Sequence, residues 1–177
     1  CITSPSACTL NDTISYYELN PAYSKTIVNS IIDKPINSLW SKVTCNKKTL
    51  LFVGRFDKVK GADIVLLAYK RLLKTHRDLE LVIVGPDLGI PDKNNVKVFF
   101  KDYIENLFSP DEHHQITFKG RLTTEAIQVL RTEAVITICA SRWESQSYTV
   151  LEAMQQGCPV VASSVGGIKE ILDDGRT

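Results

Sequence analysis

Short apolar runs alternate with amphipathic stretches along most of the chain, from Thr49 onward. The apolar runs are four to six residues long, which is typical of strands that are buried on both faces of a sheet. They lie at residues 50–53, 79–84, 115–118, 135–139 and 159–162. The stretches between and after them predict helices over residues 62–74, 96–108, 123–130, 147–156 and 169–172.

This order repeats one strand and one helix five times. Such a repeat predicts an α/β fold, with a doubly wound parallel sheet of the Rossmann-like type and helices on both faces. In these folds ligands bind beyond the carboxyl ends of the strands, near the point where the strand order reverses. Candidate functional residues are therefore expected in the segments that directly follow the strands.

Residues 1–48 differ from the rest of the chain. They are polar and irregular, with three prolines and many Ser, Thr and Asn residues. One stretch within them, Thr26–Asp33, predicts a short strand that leads into a linker. We therefore expect one domain over residues 49–177 and a separate segment before it.

Composition narrows the function classes. The chain has 177 residues, of which 44% are apolar and 23% charged, and a net charge of +1, as in an average globular protein. This balance gives no support for a broad basic field, so no nucleic-acid partner is expected. The 5 cysteines include no C-x-x-C pair and favour a reducing compartment. No apolar run approaches the roughly 18 residues of a membrane span.

The loop after the first strand of the repeat carries the first candidate group. Gly54 lets a ligand approach the backbone, because it has no Cβ atom. Arg55 offers a planar fork that suits phosphate, and Lys60 offers a compact positive charge. The following helix adds N-terminal amide groups that favour an anion. Taken alone, however, the loop is explained more simply by two hydrated basic side chains.

The segment after the fourth strand carries two carboxylates. Glu144 lies in a loop at the carboxyl edge of the predicted sheet, where a carboxylate can accept hydrogen bonds from sugar hydroxyls. Residues 145–149 open a helix, so their free N–H groups can hold a diphosphate. Glu152 lies within that helix and can accept two hydrogen bonds from a ribose diol. The alternative for Glu152 is a polar stripe, shared with Gln155 and Gln156, that faces solvent.

The sequence predicts no metal site. It has no Asp-x-Asp pair that would hold a metal against a nucleotide diphosphate, and the adjacent His113 and His114 are poorly placed to share one. Gly166 and Gly167, after the fifth strand, indicate either another anion-binding turn or an ordinary tight turn.

Taken together, these segments resemble a known family, the retaining GT-B-fold glycosyltransferases of family 4, in their donor domain. The resemblance covers Thr49 to Gly175 and rests on order and spacing, since each motif alone is weak. The matching segments are Gly54-Arg55, Lys60-Gly61, Gly120, Glu144 and Glu152 separated by seven residues, Glu152-Ala153-Met154, Gly157, Pro159–Ala162 and Gly166–Glu170.

The resemblance implies the C-terminal half of a two-domain GT-B fold and an enzyme activity. Such enzymes transfer a sugar from a nucleotide sugar to an acceptor, with retention at the anomeric carbon. The acceptor would be a glycan or a lipid-linked molecule. The nucleotide sugar is the donor substrate, and the resemblance implies no cofactor and no metal, because positive side chains stabilise the leaving group. The implied location is cytoplasmic, and contact of the whole protein with a membrane surface is left open.

The resemblance also assigns roles to residues. Arg55 and Lys60 would stabilise negative charge on the leaving diphosphate, which is electrostatic catalysis. Glu144 would hold hydroxyls of the transferred sugar and complete the catalytic set. Glu152 would hold the ribose. The other implied donor-binding positions are Gly54, Ser147, Tyr148 and Thr149, and the backbone at Arg121 and Leu122 as contacts of the base.

Two departures from the family pattern matter. Ser147 stands where the family usually has Gly, which puts the amide cradle for the diphosphate in doubt. Asn29-Ser30 stands where the family's linker often has Asn-Gly, before a pair like Ile32-Asp33. Residues 1–48 would then be the tail of the acceptor domain plus the linker, and residues 49–177 a donor-binding domain truncated at its C-terminal end. We therefore expect this chain to bind donor but not to transfer sugar alone.

Three other functions fit parts of the pattern. A sugar-nucleotide epimerase on the same fold would share the phosphate contacts but would not need the pair of Glu144 and Glu152. A non-catalytic nucleotide- or carbohydrate-binding module would tolerate Ser147. A signalling receiver domain needs an acidic cluster after the first strand of the repeat, where this chain has Gly54-Arg55.

Overall fold

Strands and helices alternate along residues 1–31 and 39–173, which are the residues that the computed structural model describes. The strands are β1 (Ile2–Ser4), β2 (Ser24–Thr26), β3 (Asn46–Val53), β4 (Glu80–Val84), β5 (Ile90–Pro91), β6 (Lys97–Val98), β7 (Ile116–Phe118), β8 (Ala134–Cys139) and β9 (Val160–Ala162). The helices are α1 (Ala7–Tyr16), α2 (Ala62–Leu72), α3 (Phe100–Leu107), α4 (Pro110–His113), α5 (Thr124–Glu133) and α6 (Tyr148–Gln155), followed by a 3-10 helix at Gly166–Glu170.

Five parallel strands form the central sheet, in the spatial order β7-β4-β3-β8-β9. The chain builds outward from β3 through β4 to β7 and then returns to place β8 on the other side of β3. The strand order thus reverses between β3 and β8, which is the doubly wound, Rossmann-like topology that the sequence predicts. The carboxyl ends of β3 and β8 define the expected ligand crevice.

Alternating side chains of β3 explain why helices cover both faces of the sheet. Leu50 and Phe52 pack in one apolar cluster with residues of α2 and α3. Leu51, which lies between them and is fully buried, belongs to a second cluster with partly buried residues of α5. A strand that is buried on both faces has no polar face, so it appears in sequence as a continuous apolar run.

Most of the predicted elements are present. The five predicted strands correspond to β3, β4, β7, β8 and β9, and three predicted helices correspond to α2, α5 and α6. The helix predicted over residues 96–108 begins only at Phe100, because β5 and β6 form a short antiparallel pair before it. The Asp87 carboxylate accepts a hydrogen bond from the Phe100 amide (2.8 Å) and fixes that helix start. The last predicted helix is instead the short 3-10 helix Gly166–Glu170.

The prediction that the segment before residue 49 is irregular was wrong for its first half. Residues 1–26 form a parallel β-α-β unit in which β1 pairs with β2. Ser6 caps α1 by accepting a hydrogen bond from the Thr9 amide (3.2 Å). Glu170 accepts hydrogen bonds from the first two amides of the same helix, Ala7 and Cys8, at 3.0 and 2.7 Å. These contacts anchor α1 on the 3-10 helix, and the sequence hides the helix because it buries little besides Leu10.

The strand predicted over Thr26–Asp33 was also wrong in its described part. β2 ends at Thr26, and pairing stops after the Ile27 amide donates to the Ser4 carbonyl (2.8 Å). The Asn29 amide then donates to the side chain of Gln146 (2.7 Å) rather than to β1. Ile32 and Asp33 lie outside the described residues. The division into an acceptor-domain tail and a donor domain stays a prediction.

Candidate active site

The loops after β3 and β8 meet where the strand order reverses. The loop from β3 to α2 carries Gly54, Arg55 and Lys60, and the loop from β8 to α6 carries Glu144. Because β3 and β8 are hydrogen-bonded neighbours, their carboxyl ends bring these two loops together. The candidate residues therefore lie at the position where ligands bind in doubly wound folds.

An ion pair between Lys60 and Glu144 lies at the centre of this site. The ammonium group of Lys60 contacts Oε1 of Glu144. The Ser141 hydroxyl donates a hydrogen bond to the same oxygen (2.9 Å). The Glu144 side chain is 10% exposed and that of Lys60 is 28% exposed, so the cation is the more open member of the pair.

Asp57 organises the two cations and was missed from the sequence. Its Oδ2 accepts a hydrogen bond from Nε of Arg55 (2.7 Å), and its Oδ1 accepts one from the backbone amide of Lys60 (2.7 Å). The Arg55 side chain remains 46% exposed. The aspartate thus fixes the loop and one edge of the guanidinium, and leaves the other guanidinium donors of Arg55 exposed for an anion.

Two glycines allow the loops to pack closely. Gly61 has φ +72°, and a Cβ atom there would lie 1.9 Å from the Ala140 carbonyl oxygen. Gly166 has φ +48°, and a Cβ atom there would lie 1.8 Å from the carbonyl oxygen of Glu144. At both positions, the backbones of neighbouring loops approach each other to distances that only glycine permits.

The start of α6 lies beside the end of β3. The Thr149 hydroxyl donates a hydrogen bond to the Val53 carbonyl (3.1 Å), one residue before Gly54. Ser147 is the N-cap residue, with φ −85° and ψ 108°, and its side chain makes no capping hydrogen bond. Instead, the Ser147 hydroxyl lies buried, 3.5 Å from Sγ of Cys139. The side chain that replaces the family's glycine thus contacts the core side of the loop.

Arg142 provides a second tie between the loops, which the sequence did not reveal. Its guanidinium pairs with both oxygens of Asp63 on α2 (2.7 Å each) and donates to the Lys58 carbonyl (2.6 Å). Its amide donates to the Val59 carbonyl (2.8 Å). Hydrogen bonding to Asp63 raises the pKa of the Arg142 guanidinium above its ordinary value. These bonds hold the loop after β8 against the loop before α2.

Glu152 lies within α6 rather than in a loop, and its carboxylate pairs with a residue of the neighbouring helix α5. Its Oε2 accepts a hydrogen bond from a guanidinium nitrogen of Arg131 on α5 (2.5 Å), and the Arg131 side chain is fully buried. Gln156 is also buried, and its Oε1 lies 3.4 Å from the other terminal nitrogen of Arg131. The alternative in which this stripe faces solvent therefore does not hold for Gln156, which is buried beside Arg131 of α5.

A cavity of about 200 Å³ lies between α5 and α6. Glu152 contributes to its wall, together with Arg131, Tyr148 and Gln156. The Glu152 side chain is 31% exposed, so this carboxylate is accessible where Glu144 is nearly enclosed. The other lining residues are Ser30, Ile31, Thr124, Gln128 and Gln155.

Arg121 and Leu122 follow β7, beyond Gly120. The Gly120 carbonyl accepts a hydrogen bond from the Gly85 amide (2.8 Å), which ties this loop to the end of β4. Leu122 packs against the apolar cluster that contains Leu51, and Arg121 is exposed. Their backbone lies at the carboxyl edge of the sheet, and their contact with a base stays a prediction.

The described ranges contain no group of three or more His, Cys, Asp or Glu side chains that could hold a metal ion. Within the same ranges, no helix is both long and apolar enough to cross a membrane. What the site offers chemically is a row of cationic and amide donors beside a carboxylate. Such a row binds an anionic group next to a hydroxyl-bearing group.

Comparisons with known proteins agree with this chemistry. The family model for glycosyl transferases group 1 matches residues 41–177. Spore coat protein SA of Bacillus subtilis is 32% identical over 132 residues, which are 73% of this chain and 34% of that protein. The chain therefore spans only about a third of the length of that relative.

Solved structures show the same fold. Sucrose-phosphate synthase from Thermosynechococcus elongatus superposes with a TM-score of 0.72 at 19% identity, over 98% of this chain and 43% of that one. A TarM variant from S. aureus superposes with a TM-score of 0.72 at 19% identity, over 97% of this chain and 32% of that one. That structure is a complex with fondaparinux, α-GlcNAc-glycerol and UDP. These neighbours have the GT-B fold, in agreement with a Rossmann-like domain in this chain. Since the family model covers most of the chain, the protein belongs to the group 1 glycosyltransferase family.

Proposed function

We propose that this chain is the donor-binding part of a retaining, metal-independent glycosyltransferase. The donor is a nucleotide-diphosphate sugar, and the transferred group is a hexose. The acceptor is a glycan or a lipid-linked molecule that binds outside the residues discussed above. The location is the cytoplasm, either free or at the face of a membrane.

One observation carries the proposal: a carboxylate suited to hydroxyls contacts an ammonium group suited to phosphate. In a nucleotide sugar, the anomeric C–O bond joins the hydroxyl-bearing sugar directly to the charged diphosphate. Glu144 and Lys60 lie side by side in the crevice at the carboxyl ends of β3 and β8, as the sugar and the diphosphate do in the donor. The bond that must break therefore fits at the contact between these two side chains.

The chemistry follows from where charge develops. In the transfer, the bond between the anomeric carbon and the diphosphate oxygen breaks, and a bond to the acceptor oxygen forms on the same face of the sugar. The acceptor hydroxyl proton goes to the departing diphosphate. Lys60, Arg55 and the first amides of α6 stabilise the negative charge on the leaving oxygen, a role that a metal ion fills in other enzymes.

Glu144 and Glu152 bind the two ends of the donor. Glu144 accepts hydrogen bonds from hydroxyls of the transferred sugar, and Ser141 keeps its carboxylate in place. Glu152 accepts hydrogen bonds from the ribose, next to the cavity between α5 and α6. Backbone near Arg121 and Leu122 contacts the base. The UDP bound to the structurally similar TarM is consistent with a nucleotide diphosphate leaving group.

Calorimetric titration of this chain with UDP, GDP and ADP, with and without magnesium, tests the proposal. We expect one of the three to bind with an affinity that magnesium does not change. Arg55→Ala and Lys60→Met should each weaken that binding about tenfold or more, since each removes a charge-assisted contact. Lys58→Met is the matched control, because this exposed lysine lies on the same loop. The nucleotide affinity of this variant should stay within about twofold of the wild-type value. Absence of binding by all three nucleotides would contradict the proposal.

A transfer assay separates the proposal from its alternatives. The complete enzyme should release the nucleotide diphosphate only when an acceptor is present, and NMR should show an unchanged anomeric configuration in the product. An epimerase would instead convert the nucleotide sugar without an acceptor, and a binding module would leave it unchanged. The 177-residue chain alone should bind the nucleotide without transferring sugar, so transfer by it would refute this part of the proposal.

A further inference from the structure

We propose that Arg131 is a positioning residue that orients Glu152 for the ribose of the donor, so that recognition of the ribose diol depends on a buried arginine of the neighbouring helix. This inference rests on the proposed function, and the experiment below separates the failure of one from the failure of the other.

The geometry of the contact supports a positioning role. Arg131 binds Oε2 of Glu152 (2.5 Å), and no hydrogen bond to Oε1 of Glu152 occurs among the described residues. A carboxylate that is held by one oxygen has less rotational freedom and can still present the other oxygen to a ligand. The partner side chain is itself constrained, because Arg131 is fully buried and also contacts Gln156 (3.4 Å). Gln156 in turn donates to the Gln128 carbonyl (3.0 Å), which fixes its amide.

Stability alone does not explain an arginine at this position. Ile127, Leu130, Arg131 and Ala134 follow the spacing of a core-facing helix stripe, so an apolar side chain is expected where Arg131 stands. Nε of Arg131 is buried and has no hydrogen-bond partner among the described residues. A buried ion pair often contributes no more stability than apolar side chains of similar volume. The specific consequence of the arginine is therefore the orientation of the Glu152 carboxylate.

Sugar recognition gives that orientation a function. A ribose diol donates two hydrogen bonds in directions fixed by its ring, so a carboxylate binds it best in one plane. Glu152 lies on the rim of the cavity between α5 and α6 and is 31% exposed, so without Arg131 its side chain can adopt other rotamers. Loss of Arg131 should therefore weaken recognition of the ribose hydroxyls and leave the diphosphate contacts unchanged.

Titrations with a nucleotide and its 2′,3′-dideoxy analogue measure this recognition. The nucleotide is whichever of UDP, GDP and ADP binds the wild-type chain. We expect the wild-type chain to prefer the ribonucleotide about tenfold, as for hydrogen bonds to a charged acceptor. In Arg131→Met the preference should fall to about twofold, while the affinity for the dideoxy analogue stays unchanged. Arg71→Met removes the same charge from the exposed surface of α2 and should retain the full preference.

A double mutant tests whether Arg131 acts through Glu152. Glu152→Gln should lose the ribose preference, and adding Arg131→Met in that background should change it no further. A full ribose preference in Arg131→Met would overturn the inference and leave the proposed function intact. Binding of no nucleotide to the wild-type chain would overturn the proposed function and the inference with it.

A conservative variant covers the case in which Arg131→Met does not fold. Arg131→Lys keeps the positive charge but supplies a point donor in place of the planar fork. We expect it to fold and to show an intermediate preference for the ribonucleotide. An unchanged preference in Arg131→Lys would show that charge alone suffices and would overturn the orienting role of the guanidinium.

Discussion

Glu144 and Glu152 are both paired with a cation, but different parts of the fold hold them. Loops at the carboxyl edge of the sheet enclose Glu144, whose partner Lys60 and whose second donor Ser141 come from two different loops. Two helix faces hold Glu152, and its partner Arg131 lies beneath it in the core. In the first pair the carboxylate is the more buried member, and in the second pair the cation is.

This difference matches the demands on the two pairs. A group beside the reacting bond gains from a dry surrounding, because electrostatic interactions are stronger where water is excluded. The Glu144 side chain is 10% exposed, and the backbone of Glu144 lies against Gly166 at a distance that only glycine permits. A group that only recognises a ribose, as proposed for Glu152, must be reached by it, and the Glu152 side chain is 31% exposed. We infer that the first pair is built for chemistry and the second for recognition.

The largest effect should come from the backbone over Glu144. Gly166 has a left-handed backbone conformation, and Gly166→Ala adds a Cβ atom 1.8 Å from the Glu144 carbonyl oxygen. Gly157→Ala is the matched control, with φ +72° and nothing within 4 Å of the added atom. In denaturant unfolding, Gly157→Ala should lower the unfolding free energy by about 1 kcal/mol from backbone strain alone. Gly166→Ala should lower it by about 3 kcal/mol or more, because overpacking adds to the strain. Equal losses would show that the loops around Glu144 can move apart.

The next effect concerns the cation of the enclosed pair. Lys60→Met leaves the Glu144 carboxylate, 10% exposed, with Ser141 as its remaining side-chain donor among the described residues. We expect the unfolding free energy to fall by about 2 kcal/mol, less than for a fully buried pair because Lys60 itself is 28% exposed.

Lys58→Met serves as the control for this loop. It removes an exposed lysine two residues away and should change the unfolding free energy by less than about 0.5 kcal/mol. A loss as large as that of Lys60→Met would attribute the effect to loop charge rather than to the ion pair.

The sheet could be predicted from the sequence because its central strands are largely buried on both faces. β3, β4 and β8 have largely apolar stretches that end at or near a glycine or a small polar loop, and β3 and β8 are each followed by a loop and a helix. The helix α1 could not be predicted in the same way. Its stability comes from Ser6 and from Glu170, which lies 163 residues away from Ala7 along the chain. No local pattern encodes a contact at that distance.

The positions of some candidate site residues could likewise be predicted from the sequence, and those of others could not. Arg55, Lys60 and Glu144 follow strands, so topology alone brings them together. Arg131 was missed because the predicted helix ended at Leu130, although a charge within a core-facing stripe is itself a signal. Asp57 was missed because its bonds go to a neighbouring side chain and a backbone amide, and spacing does not reveal such bonds.

Loss of the cation should lower the unfolding free energy less in the accessible Arg131–Glu152 pair than in the enclosed Lys60–Glu144 pair. Arg131→Met should lower the unfolding free energy by about 1 kcal/mol, because the carboxylate of Glu152, at 31% exposure, regains hydration. The double mutant Arg131→Met with Glu152→Gln should recover part of this loss, since no unpaired charge remains. Glu133→Gln, on the exposed face of α5, is the control for the glutamate change. A loss in Arg131→Met that exceeds that in Lys60→Met would reverse the ranking of the two pairs.

The smallest effect should come from Ser147, the N-cap residue of α6. The Ser147 backbone has φ −85°, a conformation open to any residue, and its hydroxyl makes no capping bond. Replacement of a serine by glycine at such a position costs only a few tenths of a kcal/mol. Ser147→Gly should therefore leave both the unfolding free energy and the nucleotide affinity nearly unchanged. A clear gain in affinity, measured by the same titration, would show that the serine side chain obstructs the amide cradle, and the enclosed pair would then be only part of the diphosphate site.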